Sequence, residues 1–146
     1  MQLNKPEEIR IGGIKIRFQI EGHASSGSIA MFEFDVAPSA RVPVPHSHDA
    51  YEETIYGLSG ILTLTMEGQK TEIGPGDSLC IPRGAVHRFD NLHPTEAKTL
   101  VIITPGILGP GYFHEIATVV KAAAGAPPDP AAIAAVMRRH GLTPAP

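Results

Sequence analysis

Between Ile14 and Glu21 the sequence reads IKIRFQIE, and apolar and polar side chains change places at every step. Ile14, Ile16, Phe18 and Ile20 share one face; Lys15, Arg17, Gln19 and Glu21 share the other. A period of two is the signature of an extended chain half buried in a sheet, because successive side chains leave a strand on opposite sides. The reading recurs down the chain. SIAMFEFDV sets Phe32, Phe34 and Val36 on one face, and ETIYGLSGILTLTMEG reads as strand, glycine-containing break, strand and turn. QKTEI, SLCIP, HRFDN and KTLVIIT are further short strands. GHASSG, IGPGDS and PRGAV are turns of the kind that glycine and proline specify. The 15 glycines and 14 prolines supply the many turns that short strands need. Residues 9–104 are therefore expected to form an all-β sandwich or barrel, with turn signals every ~8–12 residues.

The tail changes period. YFHEIATVVKAAA carries Phe113, Ile116, Ala117 and Val120 at helical spacing. DPAAIAAVMRRHG has both ends of a second helix written into it. Asp129 suits the N-cap, Pro130 the first helical position, Arg138 and Arg139 the last turn, and Gly141 the position just beyond. The expected organisation is a barrel over residues 1–106 and a C-terminal helical extension over 107–146, packing on or beside it.

Bulk properties narrow the surroundings. A chain of 146 residues is read as one domain, long enough for a core without disulfide staples. Its formal charge of −3 leaves no basic footprint for nucleic acid. One cysteine, Cys80, allows no internal disulfide and points to a reducing compartment; Leu79 and Ile81 beside it suggest a small buried apolar residue. The opening MQLNKPEEIR has no apolar signal region, and no apolar run reaches the ~18–20 residues a membrane span needs. The expectation is a cytoplasmic protein with no membrane partner.

One segment carries chemistry. PHSHDAYEETIYGLSG packs His46, His48, Asp49, Glu52 and Glu53 into a few residues. His46 and His48 stand at i and i+2, so on a strand their imidazoles share a face. Glu53 follows five residues after His48 and joins them only if the chain bends at Asp49–Ala50. A second segment, GDSLCIPRGAVHRFDN, runs a short strand into the Pro82–Arg83–Gly84 turn and then reaches His87. If the two segments are neighbours, three imidazoles and a carboxylate form a mixed nitrogen and oxygen set suited to divalent Fe, Mn, Ni, Cu, Co or Zn. The thiolates of a structural zinc site are missing.

These two segments resemble the two motifs of the cupin superfamily. The first pairs His46-x-His48 with Glu53 after four residues and Gly60 after six more; where the family opens on a glycine, this chain has Ala40. The second, Gly76, Pro82, Gly84, His87 and Asn91, matches throughout. Fifteen residues separate Gly60 from Gly76, in the manner of compact microbial cupins. The resemblance implies a double-stranded β-helix, a jelly-roll barrel, holding one divalent transition metal per chain in its mouth. It implies His46, His48, Glu53 and His87 as ligands, with Glu53 also a catalytic group. Glu52 is the alternative carboxylate, and the spacing to Gly60 favours Glu53. Asn91 and Gly84 hold turns. Tyr51, Tyr112, His114 and Arg41 are the candidates to line a pocket.

A site of this composition leaves metal positions open, which is the arrangement of mononuclear non-heme oxygenases. The tail is loosely similar to that of quercetinase-type cupins. The expected function is a dioxygenase acting on an enolisable or hydroxy-ketone substrate. The alternatives are a metal-assisted isomerase or lyase of a sugar or keto acid, and a non-catalytic small-molecule binding cupin. A homodimer is expected, with Ile14–Glu21 offering a β-edge contact.

Overall fold

The computed structural model describes residues 1–40, 42 and 44–146. In chain order the strands are β1 (Glu8–Ile11), β2 (Ile14–Ile20), β3 (Ala30–Val36), β4 (His46–His48), β5 (Glu52–Ser59), β6 (Leu62–Met66), β7 (Gln69–Ile73), β8 (Ser78–Ile81), β9 (His87–Asp90) and β10 (Ala97–Thr104). Helices α1 (Pro110–Ala122) and α2 (Pro130–Arg139) follow, then a last strand, β11 (Leu142–Pro144). The strands form a six-stranded antiparallel sheet in the order β1-β2-β3-β10-β5-β8 and a five-stranded one in the order β11-β4-β9-β6-β7. This is a jelly-roll barrel with a helical tail, the expected fold class.

Alternation builds the interior. Ile14, Ile16 and Phe18 of β2 and Phe32, Phe34 and Val36 of β3 point inward and are buried. Ile20 is only half-buried, because the register between β2 and β3 slips between Phe18 and Ile20. Phe34 meets Phe89 edge-on at 5.7 Å between ring centroids, joining one sheet to the other.

Two expectations are corrected here. The segment Ile14–Glu21 is not a free edge over its first half: β1 pairs with β2 from Glu8↔Arg17 to Ile11↔Ile14 and covers Ile14–Arg17. Cys80 is exposed, not buried. It lies opposite Thr54 on the outward side of β8, the last strand of its sheet, while Ile81 takes the inward position.

The tail docks by its helical periodicity and then returns to the sheet. Tyr112 and Ile116, one turn apart, are buried, and Phe113 packs against Phe18 and Phe32 at 5.8 and 5.1 Å. Asp129 caps α2 by accepting from the Ala131 amide at 3.0 Å, Pro130 opens the helix, and Gly141 turns the chain out at φ 79°. β11 then pairs with β4 along its length, from Leu142↔His48 to Pro144↔His46. No described helix is long and apolar enough to cross a membrane.

Candidate metal centre

The first half of the site is a strand pinned on both sides. β4 carries His46 and His48 on its inner face, 8% and 3% exposed. On one side His46 pairs with His87 of β9, and on the other β11 runs alongside. The Asp49 amide donates to the Gly141 carbonyl at 2.8 Å, and the Ala145 amide to the Pro45 carbonyl at 2.8 Å. The bend at Asp49–Ala50 is present, and it does more than correct a phase. It carries the chain from the five-stranded sheet into β5 of the six-stranded one. Glu53 therefore faces His46 and His48 from across the barrel.

Alternation along β5 separates the two glutamates. Glu53 points inward and is 7% exposed. Glu52 points out, where Arg83 donates through Nη2 to its Oε1 at 2.9 Å. The turn before His87 is held against the first half. The Gly84 amide donates to the His48 carbonyl at 2.9 Å, and Gly84 sits at φ 84°, where a side chain would be strained. Asn91 braces the far end: its amide donates to the Val36 and Thr95 carbonyls at 2.9 and 2.8 Å. In place of a glycine at Ala40, the left-handed residue of that turn is Ser39, at φ 57°.

His46, His48 and His87 each bring one nitrogen into a cluster less than 4.8 Å across, and all three are buried. His46 Nδ1 donates to the Val44 carbonyl at 2.9 Å and His87 Nδ1 to the Ala85 carbonyl at 3.0 Å. A carbonyl only accepts, so in the neutral rings the lone pair is left on Nε2. Nε2 of His48 and Nε2 of His87 each lie 3.4 Å from the same oxygen of Glu53. For His87 this is not a formed hydrogen bond: its Nε2 is buried without a partner among the described residues. Two donors bonded to one ion at ~2.1 Å stand about 3.0–3.4 Å apart. The separations fit a shared cation better than hydrogen bonds, whose N···O distances centre near ~2.9 Å.

The electrostatics agree with that fit. Burial, aided by repulsion from His87, pulls the His46 imidazole down to about 4. Burial also lowers His48, against the opposing pull of Glu53. In His87 burial works the same way, but the Glu53 carboxylate outweighs it and the net shift is upward. Burial alone would raise Glu53; the three imidazoles together hold it below its ordinary value. The result is an ionised carboxylate facing two neutral imidazoles, a donor set ready for a divalent ion.

Among the other candidates, Tyr51 is fully buried with its ring stacked on His48. Burial and the nearby Glu53 raise the phenols of both Tyr51 and Tyr112, which stay protonated. Tyr112 lines a cavity of about 60 Å³ together with His46, His48 and Glu53. His114 does not join it. Two residues along a helix is more than half a turn, and His114 lies 3.6 Å from Glu7, lining a separate cleft of about 370 Å³ with Arg10 and Lys121. Arg41 lies outside the described residues. The walls that sequence reading missed are Phe32, Phe34, Phe89, Phe113, Leu108 and Leu142, with Arg88 beside Phe89 as the one cation among the described lining residues. Inward alternation marks Phe32, Phe34 and Phe89, and helical spacing marks Phe113. Nothing local marks Leu108 or Leu142.

Residues 32–103 match the family model described as a cupin domain. The chain belongs to the cupin superfamily. This cupin is 34% identical over 69 residues to a quercetin 2,3-dioxygenase of Bacillus subtilis, a match covering 47% of this chain and 20% of that one. It spans 20%, 60% and 40% of the curated relatives it matches. A predicted oxalate decarboxylase from Thermotoga maritima superposes with a TM-score of 0.64 at 20% identity, over 72% of this chain and 99% of that one. A sugar phosphate isomerase of the cupin superfamily from Silicibacter pomeroyi does so at 0.60 and 23%, over 71% and 75%. At these identities the structural likeness shows the fold alone.

Proposed function

We propose that this cupin is a metal-dependent enzyme acting on a small molecule, a mononuclear non-heme dioxygenase with an enolisable or hydroxy-ketone substrate. The observation that carries the reading is the convergence of His46, His48, His87 and Glu53 beside an apolar cavity that His46, His48 and Glu53 line, with a buried imidazole nitrogen left unpartnered among the described residues. These four residues would hold one divalent ion. A redox-active one, Fe, Mn, Ni, Cu or Co, supplies when bound the one-electron steps that oxygen chemistry needs.

The chain's own groups do the rest. Glu53, ionised and adjacent to the imidazoles, is placed to take a proton from an enolisable carbon or hydroxyl of the substrate. Phe34, Phe89 and Leu108 keep water from the cavity, which protects a reactive enolate. A polyol needs hydrogen-bond partners for each hydroxyl; besides the candidate ligands, only Tyr112 and Arg88 among the described lining residues offer them, which favours a less hydroxylated substrate. The partial match to a quercetin dioxygenase supports the oxygenase reading. The single cysteine, exposed and unable to form an internal disulfide, supports a cytoplasmic setting, and we take the working form to be a homodimer.

The test is elemental mass spectrometry of the purified chain beside a His48→Ala/His87→Ala double variant, followed by oxygen uptake with enolisable substrates. About one redox-active ion per chain, lost in the variant, with substrate-dependent uptake, is the expected result. Zinc at full occupancy with no uptake after reconstitution in iron, nickel, manganese, copper or cobalt would move the assignment to Lewis-acid or binding roles. No metal after reconstitution would defeat it.

A further inference from the structure

The three imidazoles are not held alike. His46 and His87 each rest Nδ1 on the carbonyl two residues earlier, Val44 and Ala85. That hydrogen bond fixes both the tilt of the ring and the nitrogen left free, the usual way a ligand histidine is oriented. His48 lacks it. Its Nδ1 is buried with no partner among the described residues.

What His48 has instead is an aromatic neighbour. The ring of Tyr51 lies 4.5 Å from it, centroid to centroid, with the planes only 21° apart. The other two imidazoles meet His48 at steep angles, 47° for His46 and 73° for His87. Tyr51 stands at the corner where the chain leaves one sheet for the other, and it is 0% exposed. The turn into β11 backs it: a Cβ on Gly141 would touch Tyr51 Cε1 at 3.9 Å. Its hydroxyl is buried with no partner among the described residues, so the position is not explained by a hydrogen bond. The flat ring is the feature in use.

We propose that Tyr51 is the positioning residue of His48, fixing the plane of the imidazole by stacking where the other two histidines use a backbone carbonyl. Its consequence for metal binding rests on the ligand reading above; the hold on the ring does not. Loss of an orienting contact of this kind typically weakens metal binding about 10–100-fold.

The experiment uses the full chain with Tyr51→Phe, which keeps the ring, and Tyr51→Leu, which removes it. Tyr51→Met replaces the leucine variant if that fails to fold, as judged by its metal-free melt. In metal-free protein the His48 ring protons are read by NMR. Wild type and Tyr51→Phe are expected to show them shifted upfield by the adjacent ring, and Tyr51→Leu to return them toward the position of free imidazole. Unchanged His48 resonances in the leucine variant would overturn the proposal. Cobalt(II) titration, followed by its visible absorption, gives the second readout. The phenylalanine variant should match wild type and the leucine variant bind at least about 10-fold more weakly. Equal cobalt affinity in the leucine variant also overturns it. A wild type that takes up no cobalt defeats the ligand assignment alone, and the NMR comparison still decides what Tyr51 does.

Discussion

Two clusters of ionisable side chains, one inside the barrel and one on the outer side of the six-stranded sheet, are built on opposite plans. On its outer face Arg17 Nη2 donates to both oxygens of Asp35 at 2.9 and 2.8 Å and to Glu33 at 2.7 Å. Gln19 donates to Glu33 at 3.1 Å, and Lys98 lies 3.6 Å from Asp35. Asp35 is 1% exposed, as deeply buried as His87, yet both its oxygens are engaged. Inside the barrel His46, His48, His87 and Glu53 converge at similar depth and leave nitrogens of His48 and His87 without a partner among the described residues. A buried polar group without a partner costs about 1–3 kcal/mol. The outer cluster is complete in itself and serves stability. The inner one is incomplete in the protein alone, which is what a site for a guest looks like.

The largest effect should come from the strand that carries two histidines of the inner cluster. β4 has three register pairs with β11 and one with β9. A chain ending before Asp129 loses β11, so the strand bearing His46 and His48 is left to a single pair. We expect the site to disappear together with much of the cooperative melt, measured by circular dichroism and metal content. Wild-type metal content in the shortened chain would show that β9 alone holds β4.

Next in size, His46→Leu should reduce metal affinity by 100-fold or more while the metal-free chain still melts within a few degrees of wild type. The imidazole removed is already neutral and desolvated, and an apolar side chain suits its surroundings. A large loss of metal-free stability would mean that the inner cluster, too, is a structural network. Asp35→Asn is the mirror test. Removing the charge opposite Arg17 should destabilise by about 3 kcal/mol in chemical denaturation and leave metal content untouched. A change in metal affinity there would break the separation between the two faces.

The smallest effect concerns the pair that joins α1 to α2. Glu115 accepts from His140 and, at 2.7 Å, from Arg139. These partners, His140 first, hold its carboxyl below the ordinary value of 4.5. The folded state therefore favours the ionised form. The stabilisation is present above pH 4.5 and fades as pH falls through the lower folded value. Glu115→Gln should lower the melting temperature slightly at pH 7, by an amount that shrinks as the pH is taken down below 4.5. The pair is exposed, so the shift is small; a difference that does not shrink with falling pH would point to packing instead of charge.

Much of this was legible along the chain. The strands from Ile14 to Thr104 follow from alternation and turn residues, and α2 is written from Asp129 to Gly141. His46-x-His48, Glu53 and His87 stand out by their spacing, and the fold brings the four side chains together. What was not legible has one cause. Alternation says which side chains share a face, but not which face a neighbour covers. Cys80 and Ile81 differ by one residue, and only the position of β8 at a sheet edge sends the first to solvent. Ile14–Glu21 reads as an edge until β1 is laid beside it. Tyr112 and His114 both open α1, and only its docking on Phe18 and Phe32 turns one to the cavity and the other to Glu7.

The sequence by itself therefore determined the jelly roll and the chemical character of the site, because strand period and donor type are properties of neighbouring residues. The tertiary structure decided the rest. It made the bend after His48 a crossing between sheets and used Leu142–Pro144 to clamp the strand that bears His46 and His48. It gave His48 an aromatic ring in place of a carbonyl. Each of these depends on contact between segments up to about a hundred residues apart, and closing such distances is the work of packing, which no local pattern records.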